Sequence, residues 1–307
     1  MPALIRANLF SQQPKLQNRT DISFFGLTVV VTGSNTGLGL AAATKFAEQG
    51  ASRVILGVRS EDKGNNAKQL IISASKKLNP TCIVEVWRLD MMSYDSIRAF
   101  AARAEKELPS LAIAVLNAGL TTPTYQQSAY GWETVLQVNV LSTVLLGLLL
   151  LPKLRASRSA RHVPVLEFVG SVGHAGRAPE VQRDVAERAP PGILASYNNA
   201  AALAQGTLGM PQYQRSKLFL QAAVQYLGEH VPLAADGRPE VFVLSICPGV
   251  VKTDIGRNAS GMIQTFGVWL FFAFARTPEE GSRTVISGLD VGAVAQGGFY
   301  REDAVQE

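Results

Sequence analysis

Cysteine, histidine and long apolar runs are all scarce in this 307-residue chain, and each scarcity excludes a class of protein. The only two cysteines, Cys82 and Cys247, lie far apart among strand-like residues. No disulfide framework is expected, and a reducing compartment, the cytoplasm, is favoured; the sequons at Asn18 and Asn258 then carry no meaning. The three histidines form no cluster with cysteine or carboxylate at metal-ligand spacing, so no metal is expected. The longest apolar runs, 144–151 and 266–275, fall short of the roughly 20 residues a spanning helix requires, so no membrane span is expected. Residues 1–25 carry Arg6, Lys15 and Arg19 around a short apolar patch, lack the apolar core and cleavage site of a secretory leader, and read as a loose arm. Clustered positive charge is missing as well. The net charge of +5 is scattered, and its densest group, Lys153, Arg155, Arg158, Arg161 and His162, follows a long apolar helix, where it complements the carboxyl-end dipole. Nucleic acid is therefore not an expected partner.

What is present is a chain 47% hydrophobic, enough for one large core, with no linker to divide it. Short β-branched runs alternate with longer helical segments, the pattern of strand-helix-strand units on a parallel sheet. Strands are predicted to start near Leu27, Arg53, Cys82, Ala112, Val163 and Val241, with a last short one at Gly298–Tyr300. Helices are predicted near Gly37–Glu48, Glu61–Lys77, Ser93–Lys106, Gly131–Leu154, Gln212–Glu229 and Pro278–Gly288. The expectation is an α/β fold: one doubly wound Rossmann domain over 26–307, with a parallel sheet of about seven strands. Residues 173–210 break the rhythm with charge and Pro190-Pro191-Gly192, and read as an insertion acting as a lid or partly mobile loop.

The first strand runs directly into Gly33-Ser34-Asn35-Thr36-Gly37-Leu38-Gly39 and then a helix. Glycines there permit a tight turn and let backbone N–H groups approach a pyrophosphate at a helix amino terminus. The spacing Gly-x-x-x-Gly-x-Gly is neither the general Gly-x-Gly-x-x-Gly fingerprint nor a Gly-Lys-Ser/Thr phosphate loop. At the end of the second strand, where a carboxylate would bind a ribose 2′-hydroxyl, the chain has Val58 followed by Arg59, with Lys63 one turn later. Two cations suit a 2′-phosphate, so NADP(H) is preferred to NAD(H). Asp90 closes the third strand, where it could meet the adenine amino group, and Asn117-Ala118-Gly119 closes the fourth with small residues that leave room for a flat ring.

Tyr213-Gln214-Arg215-Ser216-Lys217 places a phenol and an ammonium four residues apart on one helix face. A free phenol titrates near 10, and a cation held beside it is expected to lower that value toward working pH. Gly170-Ser171-Val172-Gly173 invites comparison with a hydrolase nucleophile turn, but position 169 is valine, so Gly-x-Ser-x-Gly is absent.

With these motifs in this order, the chain resembles the short-chain dehydrogenase/reductase family, and within it the retinol-dehydrogenase-like branch and the fungal reductases that tailor secondary metabolites. The resemblance runs from about Gly26 to the end, through the glycine turn, Asn117-Ala118-Gly119, Ser171, Tyr213-x-x-x-Lys217 and Pro248-Gly249-Val250-Val251-Lys252-Thr253. It implies that Tyr213 is the proton donor in carbonyl reduction or the base in the reverse direction. Lys217 would lower the tyrosine pKa and hold the nicotinamide ribose, and Ser171 would hydrogen-bond the substrate oxygen. Asn139 would position a water that relays protons to Lys217. Pro248, Gly249, Val251 and Thr253 would meet the nicotinamide end. The long helix around Asn139 and the Tyr213 helix often make dimer contacts in the family, which an insertion can block, so a homodimer is a possible assembly.

Ser171 and Tyr213 stand 42 positions apart, far more than in compact members, so the segment between them should wall or cover the pocket. Residues 254–277 fall where the family has its mobile substrate wall, and carry Phe266, Trp269, Phe271, Phe272 and Phe274. So many rings favour a hydrophobic small-molecule substrate such as a polyketide, terpenoid or retinoid-like carbonyl. Docking of that stripe on a membrane surface is the weaker option, since Arg276 is its one cation. Two other functions fit the same residues: a non-redox cyclase or isomerase, and an NADP(H)-binding regulator without chemistry.

Overall fold

The structure, a computed structural model, describes residues 14–188, 192–200, 209–252 and 275–306. Its strands are β1 (Thr28–Thr32), β2 (Arg53–Val58), β3 (Ile83–Arg88), β4 (Ile113–Leu116), β5 (Val165–Val169), β6 (Phe242–Cys247), β7 (Phe299–Arg301) and β8 (Ala304–Gln306). They form one sheet in the order β3-β2-β1-β4-β5-β6-β7-β8, parallel from β3 to β7, with β8 antiparallel at the edge. The seven parallel strands are those expected from the sequence. The eighth follows a turn in which Glu302 and Asp303, neither a glycine, both take positive φ. That conformation is uncommon for residues with side chains; here Asp303 accepts hydrogen bonds from Gln17 N–H and the Ser287 hydroxyl.

Between the strands run α1 (Gly37–Glu48), α2 (Glu61–Ser75), α3 (Tyr94–Glu107), α4 (Thr134–Ala156), α5 (Ala178–Arg188), α6 (Met210–His230) and α7 (Pro278–Gly288). β1 is buried along its whole length and separates two cores. Val29 and Val31 face one with Phe46, Ile71 and Ile286, while Val30 faces the other with Phe100, Leu146 and Val224. A strand covered on both sides needs apolar residues at every position, and Val29-Val30-Val31 supplies them.

Sequence-encoded caps set the helix starts. Ser60 caps α2, Ser93 caps α3, and Thr277 with Glu280 forms a reciprocal capping box on α7. α1 differs: the Thr36 side chain does not cap it and its first turn carries no carboxylate.

The apolar run at 144–151 lies in α4, as the helix expected over Gly131–Leu154 implies; α4 is long and apolar enough to cross a membrane by length and composition alone, and 67% of its apolar window is buried within the fold. One expectation needs correction. Within the arm expected to be loose, residues 14–25 are packed: Leu16 and Phe24 are buried, Arg276 and Arg283 donate to Pro14 O and Leu16 O, and Arg19 pairs with Asp290. In the insertion read as a lid or partly mobile loop, the described part contains helix α5, and the Tyr197 hydroxyl donates to Asp184 on that helix at 2.6 Å. Of the basic group at the carboxyl end of α4, Arg155 pairs with Glu240 and Arg158 with Asp236.

Candidate active site

The strand order reverses between β1 and β4, and the carboxyl side of such a switch point is where doubly wound sheets bind ligands. A cavity of about 420 Å³ opens at this point. Gly33, Asn35, Thr36, Gly37, Leu38, Gly39, Arg59, Lys63, Asp90, Asn117, Ala118, Gly119, Ser171, Tyr213, Lys217, Pro248, Gly249 and Val251 all line it. Asn139 is buried behind the wall rather than on it, and Thr253, like positions 254–274 of the expected substrate wall, lies outside the described residues.

At one end the glycine turn leaves no space for side chains. Gly33 and Gly37 have φ of +63° and +56°, and a β-carbon on Gly39 would stand 2.6 Å from both Gly33 O and Asn117 Nδ2. Asn117 is the clamp of this turn: its Nδ2 donates to Thr32 O at 2.8 Å, and the next N–H, of Ala118, donates to Thr32 Oγ1 at 2.9 Å. The open amino terminus of α1 points positive charge at the same space. Arg59 and Lys63 are exposed on the rim, and neither pairs with a carboxylate among the described residues. Ser60 stands between them. The Asp90 carboxylate accepts from Met92 N–H at 2.9 Å, an Asx turn that orients it. A glycine cradle, an uncapped helix start and two free cations fit a phosphorylated dinucleotide.

At the other end, Ser171 follows β5, and Tyr213 and Lys217 occupy the first two turns of α6. The Ser171 hydroxyl hydrogen-bonds the Tyr213 phenol. Lys217 Nζ lies 5.7 Å from the tyrosine ring centre and donates to Val169 O at 2.7 Å. The lysine therefore does less for the phenol than the spacing suggests. Burial pushes Tyr213 above its ordinary value, opposite to the sequence-based expectation, and the Ser171 bond only partly offsets this. Burial also brings Lys217 down to about 8. At neutral pH the pair is then a protonated phenol beside a cationic ammonium, a state fit to give a proton.

Asn139 sits in the π-helical turn Gln137–Ser142 of α4. Its Oδ1 accepts from Leu120 N–H, and its Nδ2 donates to Leu120 O and Ser216 Oγ. Both amide protons are thus engaged, and the side chain pins the strand-β4 loop to α6. A β-carbon on Gly119 would stand 3.2 Å from Asn139 Oδ1 and 3.7 Å from Lys217 Nζ, so both groups converge over that glycine.

Two residues make contacts that the sequence reading did not assign. Cys247, at the end of β6, accepts N–H bonds from Val172 and Gly249, joining the Ser171 loop to the Pro248 loop. Arg276 is buried and donates to Pro248 O, which leaves it no role as a membrane-facing cation. Only the place of Cys247, directly before Pro248-Gly249, hinted at this. His174 Nδ1 meets the Ser171 backbone oxygen at 2.6 Å, the wrong atom for a base activating a serine nucleophile. Among the described residues no group of His, Cys, Asp and Glu could hold a metal ion.

Sheet order, glycine turn and cavity define a Rossmann-type α/β fold. A family model described as short chain dehydrogenase matches residues 27–179. The short-chain dehydrogenase/reductase ffsI of Aspergillus flavipes is 41% identical over 284 residues, covering 92% of this chain and 79% of that protein. The short-chain dehydrogenase/reductase phmF of Phaeosphaeria nodorum matches with the same identity and the same coverage, 41% over 284 residues. The chain belongs to the short-chain dehydrogenase/reductase family, a family of oxidoreductases. Among solved structures, the Pseudomonas aeruginosa RhlG/NADP active-site complex superposes with a TM-score of 0.66 at 22% identity, over 93% of this chain and 97% of that one. A Sphingobium yanoikuyae short-chain dehydrogenase in complex with NADPH gives 0.61 at 20% identity, over 86% and 84%. These structural likenesses establish the fold.

Proposed function

We propose that this chain is an NADP(H)-dependent oxidoreductase that transfers hydride between nicotinamide and a hydrophobic ketone or secondary alcohol, tailoring a secondary metabolite of polyketide or terpenoid type. The observation that carries the reading is a single one: Ser171, Tyr213 and Lys217 open into the same cavity as the glycine turn and the Arg59–Lys63 rim. The Aspergillus and Phaeosphaeria relatives, both fungal, support the setting, and the NADP and NADPH complexes of the two solved structures support the cofactor. Two free thiols are consistent with a cytoplasmic enzyme.

The bound dinucleotide would supply the hydride. The residues that would hold it are the α1 start with Gly33, Asn35, Thr36, Gly37, Leu38 and Gly39, the cations Arg59 and Lys63, Asp90, Asn117, Ala118 and Gly119, and the Pro248–Val251 loop. Thr253 is assigned to the same loop from the motif alone. In reduction, the Ser171 hydroxyl orients the carbonyl oxygen and the Tyr213 hydroxyl protonates it. The Lys217 cation stabilises the phenolate left behind, and Asn139 keeps Leu120 and α6 in register around the pair. Met91, Met92, Leu120 and Met210 give the cavity an apolar side, and methionine adapts to bulky ligands. An apolar groove between α4 and α6, lined by Leu145, Leu148 and Phe219 and flanked by Ile193 and Leu194 of the insertion, is where a second copy would dock in a homodimer.

The test is NADPH oxidation at 340 nm with a panel of apolar ketones. Wild type is expected to turn over, and Tyr213→Phe to lose about 10²- to 10⁴-fold, the worth of a positioned general acid. Product mass separates reduction, which adds two hydrogens, from isomerisation, which adds none. Full activity in Tyr213→Phe would end the proposal.

A further inference from the structure

The helix that carries Tyr213 starts without a side-chain cap: its N-cap is Gly209, at φ +66°. Tyr213 lies one turn in, so its direction depends on whatever grips that first turn from the side. Three of its near neighbours in sequence are gripped, each by the insertion. Gln212 Nε2 donates to Tyr197 O at 3.0 Å, Gln214 Oε1 accepts from Arg177 Nε at 3.0 Å, and Arg215 Nε donates to Glu180 Oε1 at 3.0 Å. Glu180 is the hub of this set, because its other oxygen accepts from Arg177 at 2.8 Å. The Arg215 side chain is 0% exposed and its guanidinium lies over the Tyr197 ring at 4.8 Å. A cation buried to that extent depends on its counter-charge.

We infer that Glu180 is a positioning residue for the reaction: through Arg215 and Arg177 it fixes the first turn of α6, and with it the placement of the Tyr213 phenol. Of Arg177, Glu180 and Arg215, none touches the cavity, so the effect reaches the chemistry only through the helix. The glycine turn 33–39, Arg59 and Lys63 follow β1 and β2, and none of the hydrogen bonds given above for Arg177, Glu180 and Arg215 reaches them. The described part of the insertion therefore acts as a fixed brace on the catalytic helix. This inference rests on the oxidoreductase reading above for its kinetic arm, but its structural arm does not.

The experiment compares wild type, Glu180→Gln and Glu180→Asp with two readouts. The first is the ¹³C signal of the tyrosine ζ-carbon in ¹³C-labelled protein, assigned by its loss in Tyr213→Phe. The second is steady-state ketone reduction. In Glu180→Gln the Tyr213 signal should move, and kcat should fall about 10- to 100-fold, the scale of a misplacement near 1 Å, with KM for NADPH unchanged. Glu180→Asp, which keeps the charge, should recover most of kcat. If Glu180→Gln does not fold, the double variant Glu180→Gln/Arg215→Met, which also removes the buried cation, takes its place with the same expectation. An unmoved Tyr213 signal overturns the inference whatever the rate does. Equal turnover by wild type and Tyr213→Phe would instead sink the oxidoreductase reading, leaving the signal to judge the brace alone.

Discussion

Glu167 offers a test of the core that needs no ligand. It sits in the middle of β5 with 0% exposure, and neither of its carboxyl oxygens has a partner among the described residues. One of them, Oε2, lies 3.0 Å from where a β-carbon on Gly288 would stand, a point that Ile246 and the Tyr300 ring also approach. Burial pushes the carboxyl well above the usual carboxylate range. The folded chain then keeps a proton that the unfolded chain releases near its ordinary value of about 4.3. Because the native state binds more protons, stability is fully present below that value and is lost as pH rises toward the folded-state pKa. The loss is up to about 1.4 kcal/mol per pH unit, the cost of one proton's difference. Glu167→Gln abolishes the titration. Its amide is also buried without a partner, a penalty independent of pH, so the test lies in the slope rather than in the absolute difference. Urea unfolding at several pH values, with m-values compared to confirm the same transition, should show the variant gaining on wild type at each step from about pH 5 to 7. A constant gap over that range would refute the reasoning, and with it the neutral carboxyl.

Two further outcomes are expected. Gly39→Ala forces a β-carbon roughly 0.8 Å inside ordinary contact with Gly33 O and Asn117 Nδ2, an overpacking worth about 1 to 3 kcal/mol; NADPH affinity, read by fluorescence titration, should fall tenfold or more, and an unchanged Kd would contradict the cradle. The kcat/KM for ketone reduction should fall as pH rises past about 8, where Lys217 loses its charge while the Tyr213 phenol is still protonated; a flat profile through that region would remove Lys217 from the chemistry.

Much of the fold was legible because its signals are local. α1 and α7 occupy Gly37–Glu48 and Pro278–Gly288, the bounds read from the sequence. In α7 the reason is a capping box, and at the α1 start it is a glycine turn that admits no side chain. β1 was readable because a strand buried on both sides must be apolar throughout. β8 was not, since its turn uses Glu302 and Asp303 in the left-handed region without glycine, and Asp303 is held there by Gln17 and Ser287, distant in sequence. The packed segment 14–25 was missed for a similar reason: its anchors are Arg276, Arg283 and Asp290, at the other end of the chain.

By itself the sequence determined which residues are candidates for the chemistry and the order of strands and helices in the chain, because turn glycines, caps and the Tyr213-x-x-x-Lys217 spacing act over a few residues. Tertiary structure decided how those groups behave. Tyr213 and Lys217 are shifted by desolvation, a property of everything packed around them from β5, β6 and α6. Asn139 is held by Leu120 and Ser216, and Arg215 by Glu180, partners that only folding brings near. Charge and proton affinity in a site depend on the dielectric and the neighbours that folding assembles, and no local pattern in a chain encodes that sum.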